Sequence, residues 1–392
     1  MTRTESRKIL WLLSTCCLMS MASMRVCDSL LTSLQATFAI PIGRAAQTIS
    51  AFALAYGATQ LFVGPLGDRF GKMRVVGYAT ALCTIGQIAA ALAQTSGQLI
   101  AARVLSGAAA AGIVPLTMAW IGDAVPYARR QEVLAQLLGA TVFGMIAGQW
   151  FGAVIADALH WRVAFALLAA ISLIAGWLVL REPEHDAHRD VNSDAHFVRR
   201  ARAVLSIAWA RTVLCVTFVE GAFAYSALAF VPSYLHRTFG IAITHAGAIA
   251  ALYGVGGLVY SRCTKRLVAR LGEIHLARLG GLCLALAYGG LAWIPRGGYA
   301  WPACLLAGFG FYALHNTLQT HATQMAPQAR GTAVSLFSCF LFFGQSIGIA
   351  AAAAFIGRYS APPVFMVCGL GLFVLSIVFS GLIAGHAKRV AS

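Results

Sequence analysis

The sequence predicts an all-α integral membrane protein with twelve transmembrane helices, arranged as two pseudo-symmetric six-helix bundles around a central cavity. Three observations predict this fold: the composition, the spacing of long apolar segments and an internal repeat. Of the 392 residues, 59% are hydrophobic and 11% are charged, whereas soluble domains have roughly 25% charged residues. A soluble fold of this length would lack a polar surface, so the lipid bilayer is the expected solvent.

Twelve segments are long and apolar enough to cross a bilayer as helices, because a helical span takes about 20 residues. They are 9–36, 45–66, 75–94, 98–119, 131–156, 162–181, 207–232, 243–264, 275–294, 299–321, 331–356 and 361–385. The segments are about twice as long as barrel strands and do not alternate, which excludes a β-barrel. The first segment follows Arg3, Arg7 and Lys8 like a secretory leader, but its length predicts a retained span.

Basic residues are concentrated in alternate loops. The formal net charge of +16 comes from 29 Lys and Arg against 13 Asp and Glu. The cations lie between apolar segments, which is typical of membrane topology and not of nucleic-acid binding. Since basic loops stay in the cytoplasm, we expect both termini to be cytoplasmic in a bacterial inner membrane.

A polar stretch in the middle of the chain separates two similar halves. The predicted organisation is an N-terminal bundle of residues 1–181, a cytoplasmic linker of 182–206 and a C-terminal bundle of 207–392. His185, His188 and His196 in the linker have irregular spacing and no accompanying cysteine. The chain has ten cysteines but no C-x-x-C pair. These patterns predict no metal site.

Short motifs repeat between the halves at a constant distance. Pro126-Tyr127-Ala128-Arg129 recurs as Pro327-Gln328-Ala329-Arg330, and Arg69-Phe70-Gly71 recurs as Arg270-Leu271-Gly272, both 201 residues later. Because the halves have the same in–out sense, they form a parallel repeat, which is typical of one transporter architecture.

The segment Gly64-Pro65-Leu66-Gly67-Asp68-Arg69-Phe70-Gly71-Lys72-Met73-Arg74 lies between the second and third spans. It resembles the signature cytoplasmic loop of the major facilitator superfamily. Arg103-Val104-Leu105-Ser106-Gly107 looks like that family's fourth-helix motif, and 24–31 is similar to the drug:proton antiporter branch. The fifth span lacks the proline usual in that branch. The resemblance implies a small-molecule substrate and protons as partners, together with the bilayer.

The same loop provides candidates for a gate. These are Gly64, Gly67, Asp68, Arg69, Gly71, Lys72, Arg74 and Arg330. Glycines permit a tight turn and a close approach of helices. The start of the eleventh span near Gly331 would attract the carboxylate of Asp68, and the resemblance implies that this contact closes the cytoplasmic side. A basic loop that only sets topology is the alternative.

Two carboxylates, Asp28 and Glu220, lie inside predicted spans, where an acid is costly and usually faces a cavity or a partner. We interpret both as candidates for proton coupling, together with Arg103. Asp28 and Arg103 lie at similar predicted depths, so we expect them to pair directly or through water. Arg25, one helical turn before Asp28, is a competing partner. For Glu220, a structural hydrogen bond to backbone or to His315 is the alternative.

Other polar and aromatic side chains within the spans are candidates for contact with substrate. They are Arg25, Tyr56, Gln60, Gln149, Tyr225, His315, Gln319 and Gln345. Each by itself is equally consistent with hydrogen bonding between packed helices.

The sequence therefore predicts a monomeric secondary active transporter without a cofactor, working by proton-coupled efflux of a small amphipathic or apolar organic compound. An exporter or importer of a metabolite, such as a sugar, amino acid or organic acid, is the alternative. A membrane-embedded enzyme would need a catalytic constellation that the sequence does not contain. No phosphate-binding motif for ATP is present either.

Overall fold

The computed structural model describes residues 3–183 and 193–391. Its α-helices are α1 (Arg3–Arg25), α2 (Leu31–Phe38), α3 (Ile42–Phe70), α4 (Lys72–Leu92), α5 (Ser96–Ala110), α6 (Ile113–Ala124), α7 (Tyr127–Ala158), α8 (Trp161–Arg181), α9 (Ser193–Ser206), α10 (Ala208–Phe239), α11 (Ile243–Trp293), α12 (Ala300–Gln324), α13 (Arg330–Ile356) and α14 (Pro362–Ala391). Short 3₁₀ turns join some of them, and these residues include no β-strand.

Ten helical segments of the described chain are long and apolar enough to cross a membrane. One of them, α11, has 51 residues and contains two of the predicted spans. The helix α12, with 25 residues, supplies the remaining span. The twelve-helix fold predicted from the sequence is therefore confirmed.

The connection between the eighth and ninth spans differs from the prediction. Spans 243–264 and 275–294 were expected to be separated by a loop, but α11 consists of two helical parts that meet directly at Gly272. The chain turns at Gly272, whose φ of 65° and ψ of 175° are outside the helical region. Glycine adopts this conformation without steric strain, so a single residue makes the bend.

The first span is interrupted, whereas the sequence predicted one helix over 9–36. Helix α1 ends at Arg25, a 3₁₀ turn covers Val26–Asp28, and α2 begins at Leu31. Neither proline nor glycine lies at this break. A 3₁₀ segment within a longer helix often marks a functional site.

The packing of helices repeats between the halves. A Cβ added at Gly144 or Gly148 of α7 would meet the carbonyl oxygen of Leu18 or Ala22 of α1. In the other half, a Cβ at Gly344 or Gly348 of α13 would meet the carbonyl oxygen of Phe218 or Ala222 of α10. Every equivalent pair of numbers differs by 200, so the halves share one close helix–helix contact. The predicted pseudo-symmetry is therefore visible in the packing.

The two halves are joined at one end of the bundle. We call the end with both chain termini the cytoplasmic end and the opposite end the outer end, following the orientation that the basic loops predict. Near the outer end, Thr244 Oγ1 donates a hydrogen bond to Asp157 Oδ2 at 2.9 Å. Ser346 Oγ donates to the carbonyl oxygen of Ser50 at 2.8 Å. These bonds close the outer end between α7 and α11 and between α3 and α13.

Towards the cytoplasmic end the halves separate. In the middle of the bundle, added Cβ atoms at Gly57 and Gly254 would lie 3.0 Å from Phe342 and 2.6 Å from Ile146 of the opposite half. Gly64 lies two turns from Gly57 on α3, and Gly139 lies two turns from Ile146 on α7, both towards the cytoplasmic end. Cβ atoms at Gly64 and Gly139 would meet nothing within 4 Å. The structure is thus closed at the outer end and divergent at the cytoplasmic end.

The predicted linker of 182–206 is partly helical. Residues 184–192, with His185 and His188, lie outside the described residues. Helix α9 follows and contacts α3 and α13, with Val204 only 1% exposed. The second part of the linker therefore packs against both halves, and the domain boundaries remain a prediction.

Candidate functional site

Asp28 lies in the 3₁₀ turn that interrupts the first span, and its side chain is fully buried. Its Oδ2 atom accepts a hydrogen bond from Arg25 Nη1 at 3.1 Å and another from Gln149 Nε2 at 3.2 Å. Its Oδ1 atom has no hydrogen-bond partner among the residues that the structure describes. One carboxylate oxygen is therefore paired and the other remains available.

Helix α7 positions the amide of Gln149 against this turn. Gly148 allows α7 to approach α1 closely, as described above. A Cβ added at Gly152 would lie 3.0 Å from the side chain of Val26. Ser29 Oγ donates to the carbonyl oxygen of Gln149 at 2.7 Å. The side chain of Gln149 thus contacts Asp28, while its backbone carbonyl accepts the hydrogen bond from Ser29, the residue after Asp28.

Arg25, and not Arg103, is the direct partner of the Asp28 carboxylate among the described residues. The pairing of Asp28 with Arg103 through water remains a prediction. Arg103 is buried in α5, where Nε donates to the carbonyl oxygen of Thr48 at 3.2 Å and Nη1 to Ser23 Oγ at 3.3 Å. Its guanidinium carbon lies 4.1 Å from the centroid of the Phe52 ring. The direct partners of Arg103 are therefore a backbone carbonyl, a hydroxyl and an aromatic ring.

Arg25 also contacts the C-terminal half. Its guanidinium carbon lies 4.8 Å from the centroid of the Tyr225 ring on α10, within the range of a cation–π interaction. Arg25 is 1% exposed, so this contact is shielded from solvent. The guanidinium of Arg25 therefore connects the Asp28 site of the N-terminal half with α10 of the C-terminal half.

Glu220 forms a second acid site, within the C-terminal half. Its side chain is fully buried in α10, and Oε2 lies 2.9 Å from Nδ1 of His315 on α12. Its Oε1 has no hydrogen-bond partner in the described part of the chain. The sequence alternative of a hydrogen bond between Glu220 and His315 is therefore confirmed as a contact, and its role remains to be tested.

Aromatic rings connect the two acid sites. The ring of Tyr225 lies edge-on to Phe311, with centroids 5.4 Å apart. Phe311 stacks on His315 at 4.9 Å with 12° between the planes. Contacts therefore run from Asp28 through Arg25, Tyr225, Phe311 and His315 to Glu220.

The remaining cavity candidates differ in their surroundings. Tyr56 packs against Phe342 of the opposite half, with ring centroids 4.4 Å apart, and is therefore an interface residue. Gln60 and Gln345 are buried, and Gln60 Oε1 and both amide atoms of Gln345 lack partners among the described residues. Gln319 is exposed towards the cytoplasmic end of α12. Unsatisfied buried amides are costly, so the two buried glutamines suit contact with a polar solute.

A family model described as Major Facilitator Superfamily matches residues 13–349. The chain belongs to the major facilitator superfamily. Its fold and family are those of multi-pass membrane transporters, as expected from the signature loop.

Several members of the superfamily are similar to this chain in sequence. Multidrug resistance protein 1 of Bacillus subtilis is 25% identical over 304 residues, 75% of this chain and 76% of that protein. The uncharacterised transporter YwfA of the same species is 26% identical over 257 residues, 64% of this chain and 61% of YwfA. Quinolone resistance protein NorB of Staphylococcus aureus is 30% identical over 151 residues, 38% of this chain and 33% of NorB.

Solved structures of the superfamily share the fold. A mutant of the nucleoside transporter NupG gives a TM-score of 0.81 at 14% identity, covering 95% of this chain and 99% of that chain. The D-xylose-proton symporter gives a TM-score of 0.74 at 16% identity, covering 95% of both chains. Such low identity shows the fold alone.

The signature loop of the superfamily forms the tight connection between α3 and α4. Gly71, with φ 91°, ends α3 and begins α4, and a Cβ at Gly67 would collide with Leu116 of α6. Lys72 Nζ lies 3.8 Å from Asp68 Oδ1 and 2.5 Å from Asp123 Oδ2. Both ion pairs join elements of the N-terminal half. Gly67 lies in close contact with α6, whereas a Cβ at Gly64 would meet nothing within 4 Å, and the gate roles of these glycines remain a prediction.

The expected contact between Asp68 and the first turn of α13 is not made between the described residues of this structure. The side chain of Asp68 is 50% exposed, and Arg330 is exposed at the start of α13. The contact was predicted for a state closed at the cytoplasmic end, where this structure diverges. It therefore remains a prediction for that state, along with the gate roles of Arg69 and Arg74.

Sequence reasoning missed part of the surroundings of both acids. Ser23 and Thr48, which hold Arg103, were not candidates, and neither was Phe337, whose ring centroid lies 5.4 Å from that of His315. A signal for the contact across the interface was available, because Arg25 and Tyr225 are 200 residues apart, the distance between equivalent positions of α1 and α10.

Proposed function

We propose that the chain is a secondary active transporter that exports a small amphipathic or apolar organic compound in exchange for protons, with Asp28 as the coupling acid. The single observation that carries the proposal is the carboxylate of Asp28. It is buried at a helix break beside the interface of the two halves, with one oxygen paired to Arg25 and the other unpaired. An ionisable group at such a depth is by default a functional candidate.

In this proposal we assign the structure to the inward-facing state of an alternating-access cycle. The halves diverge at the cytoplasmic end, so a compound would enter from the cytoplasm while Asp28 is ionised and paired. After the halves rock, the outer end opens and a proton from outside neutralises Asp28. The protonated carrier then returns and releases the proton into the cytoplasm.

The membrane potential is sufficient to drive this exchange for an uncharged substrate. Moving one elementary charge across the membrane is worth about 2.3 kcal/mol per 100 mV. This free energy corresponds to roughly a fiftyfold concentration ratio. One proton per transported molecule therefore supports useful extrusion.

The proposal is supported by chemistry as well as by similarity. The aromatic rings of Phe311 and Phe337 pack against His315 and suit an apolar or aromatic solute. Two of the similar proteins are named for multidrug and quinolone resistance. These names describe those proteins and motivate the choice of test compounds here.

Transport in inverted membrane vesicles and in proteoliposomes tests the proposal. We expect uptake of lipophilic test compounds into inverted vesicles when a proton gradient is imposed, with proton movement recorded by a pH-sensitive dye. Asp28→Asn cannot bind or release the proton, so it should abolish proton-driven uptake while retaining exchange of labelled for unlabelled compound.

The matched control is Glu132→Gln, an acid-to-amide change at an exposed position on α7. In this control variant, uptake should depend on the proton gradient as it does in the wild type. Normal proton-driven uptake in Asp28→Asn would remove Asp28 from the mechanism. Absence of proton movement with any transported compound would contradict antiport itself.

Transport of a polar metabolite is the second candidate function. The unpaired amides of Gln60 and Gln345 favour it, since a hydroxylated solute would satisfy them. Two structurally similar proteins are named as a nucleoside transporter and a xylose–proton symporter. Counterflow with labelled nucleosides and sugars, compared with lipophilic compounds, separates the two functions.

A further inference from the structure

Arg25 and Tyr225 meet at equivalent positions of the two halves. The close contacts of α1 with α7 and of α10 with α13 relate residue numbers by 200. Arg25 on α1 and Tyr225 on α10 obey the same relation and face each other at 4.8 Å. Both lie in the part of the bundle that is closed at the outer end, so the contact exists only when the two halves approach there.

The charge at this contact depends on Asp28. While Asp28 is ionised, the guanidinium and the carboxylate compensate each other, and burial of the pair is tolerated. When Asp28 takes up a proton, the guanidinium keeps its charge because arginine does not release its proton in proteins. The face of the Tyr225 ring is then the remaining electrostatic partner that the structure shows for Arg25.

We infer that Tyr225 is a positioning residue that allows the carrier to close at the outer end with a proton on Asp28. Its ring accepts the guanidinium of Arg25 across the interface when the carboxylate has become neutral. The inference rests on the proposed function, because closing with a bound proton is the step that distinguishes antiport from simple exchange. Exchange of substrate for substrate keeps Asp28 ionised and does not need the ring.

Other titratable groups around the pair do not replace this contact. The titratable groups around Arg25 and Asp28 are Cys27 beside them, Arg103 on α5, Tyr225 on α10, Tyr253 and Tyr288 on α11, and Tyr312 on α12, with Glu220 next to Tyr225. Glu220 is bonded to His315 and Arg103 to Ser23 and Thr48. Tyr225 is the residue whose ring face receives the guanidinium.

Three tyrosine variants isolate the ring from the hydroxyl and from general packing. Tyr225→Leu removes the aromatic face, and Tyr225→Phe keeps it. Tyr234→Leu is the matched control, since Tyr234 is a buried tyrosine of the same helix that packs edge-on against Phe239 and Phe365 of its own half. A desolvated cation–π contact shifts an equilibrium by about thirtyfold.

Transport provides the first readout. We expect Tyr225→Leu to lose about thirtyfold in proton-driven net transport while substrate counterflow stays near the wild-type rate. The defect should grow as the external pH falls, because more carriers must close in the protonated form. Tyr225→Phe and Tyr234→Leu should behave like the wild type in both assays.

Distance measurements provide a readout without transport. Spin labels at Leu159 and Tyr359, two exposed positions at the outer end of opposite halves, report opening when the exposed Cys215 and Cys263 are replaced by serine. In Tyr225→Leu we expect the outer end to open at acidic pH and to remain closed at alkaline pH. In the wild type, the outer end should stay closed at both acidic and alkaline pH.

Two results would overturn the inference. One is a closed outer end in Tyr225→Leu at acidic pH, in a protein whose wild type couples to protons. The other is an equal loss of counterflow and proton-driven transport in Tyr225→Leu, which would mean that the loaded carrier also needs the ring. If the wild type itself showed no proton coupling, the proposed function would fail instead, so the two failures are distinguishable.

Discussion

The two buried acids differ in the partner that each half provides. Asp28 and Glu220 are both fully buried, and each has one oxygen without a partner among the described residues. Asp28 is paired with a guanidinium, which is permanently charged. Glu220 is paired with the imidazole of His315, a group that, unlike a guanidinium, can be neutral or charged.

This difference determines what a proton does at each site. Protonation of Asp28 changes the buried charge from zero to one positive charge, because Arg25 keeps its proton. At Glu220 and His315 a proton can be shared, so the pair can remain neutral as a whole. The N-terminal site is therefore suited to sensing a proton, whereas the C-terminal site is suited to holding one at low electrostatic cost.

The largest expected effect comes from removing the permanent cation. Arg25→Leu leaves the carboxylate of Asp28 buried without compensation, which should lower the free energy of unfolding by about 3–5 kcal/mol. Adding Asp28→Asn should restore most of the loss, since the charge is then gone. Unfolding of the purified protein in detergent at neutral pH measures both.

Arg44→Leu is the control for this experiment, because Arg44 is exposed in the first turn of α3 and donates a hydrogen bond to Gln47 of the same helix. It should change the free energy of unfolding by less than about 0.5 kcal/mol. If the single and double variants at Arg25 were equally unstable, the lost packing of the side chain and not the ion pair would explain the effect.

A smaller effect is expected at the C-terminal site. His315→Leu removes one hydrogen bond of Glu220, whereas Arg25→Leu removes both the ion pair with Asp28 and the ring contact with Tyr225. The free energy of unfolding should therefore fall by about 1.5–3 kcal/mol, less than for Arg25→Leu in the same assay. An equal or larger loss would show that Glu220 is held as a carboxylate, and the contrast between the sites would disappear.

The smallest difference is expected between the helix contacts that support the two sites. Gly148→Ala and Gly348→Ala each place a methyl group against a backbone carbonyl and should cost about 1–3 kcal/mol. Because the contacts are equivalent, the two values should agree within about 0.5 kcal/mol. Gly139→Ala, where a Cβ meets nothing within 4 Å, is the control that should not destabilise. Unequal losses of stability for Gly148→Ala and Gly348→Ala would mean that the helix packing of the two halves also differs, and not only the partners of the two acids.

Spacing along one helix predicted the contacts of the acids better than depth did. Arg25 and Asp28 are three residues apart, so their proximity follows from helical geometry. Arg103 was assigned to Asp28 because both lie at similar depth, but depth does not fix the direction of a side chain around its helix. Ser23 and Thr48 hold Arg103 elsewhere, and no pattern in the sequence indicated them.

Span number was predictable, whereas irregular backbone was not. Long apolar segments determine how often the chain crosses a bilayer, and the structure agrees with that count. The break at Val26–Asp28 contains no proline or glycine, so tertiary contacts such as that of Ser29 with Gln149 stabilise it. The bend at Gly272 was predicted as a loop because its surroundings are polar and basic.

The 200-residue relation between the halves has an evolutionary consequence. In a dimer of two identical six-helix units, a residue close to the twofold axis would face its own copy, because such interfaces are self-complementary. Arginine would then oppose arginine in a dry environment, which is repulsive. Only after the unit was duplicated could one copy carry a cation at this position and the other an aromatic ring, so the Arg25–Tyr225 contact points to duplication followed by divergence.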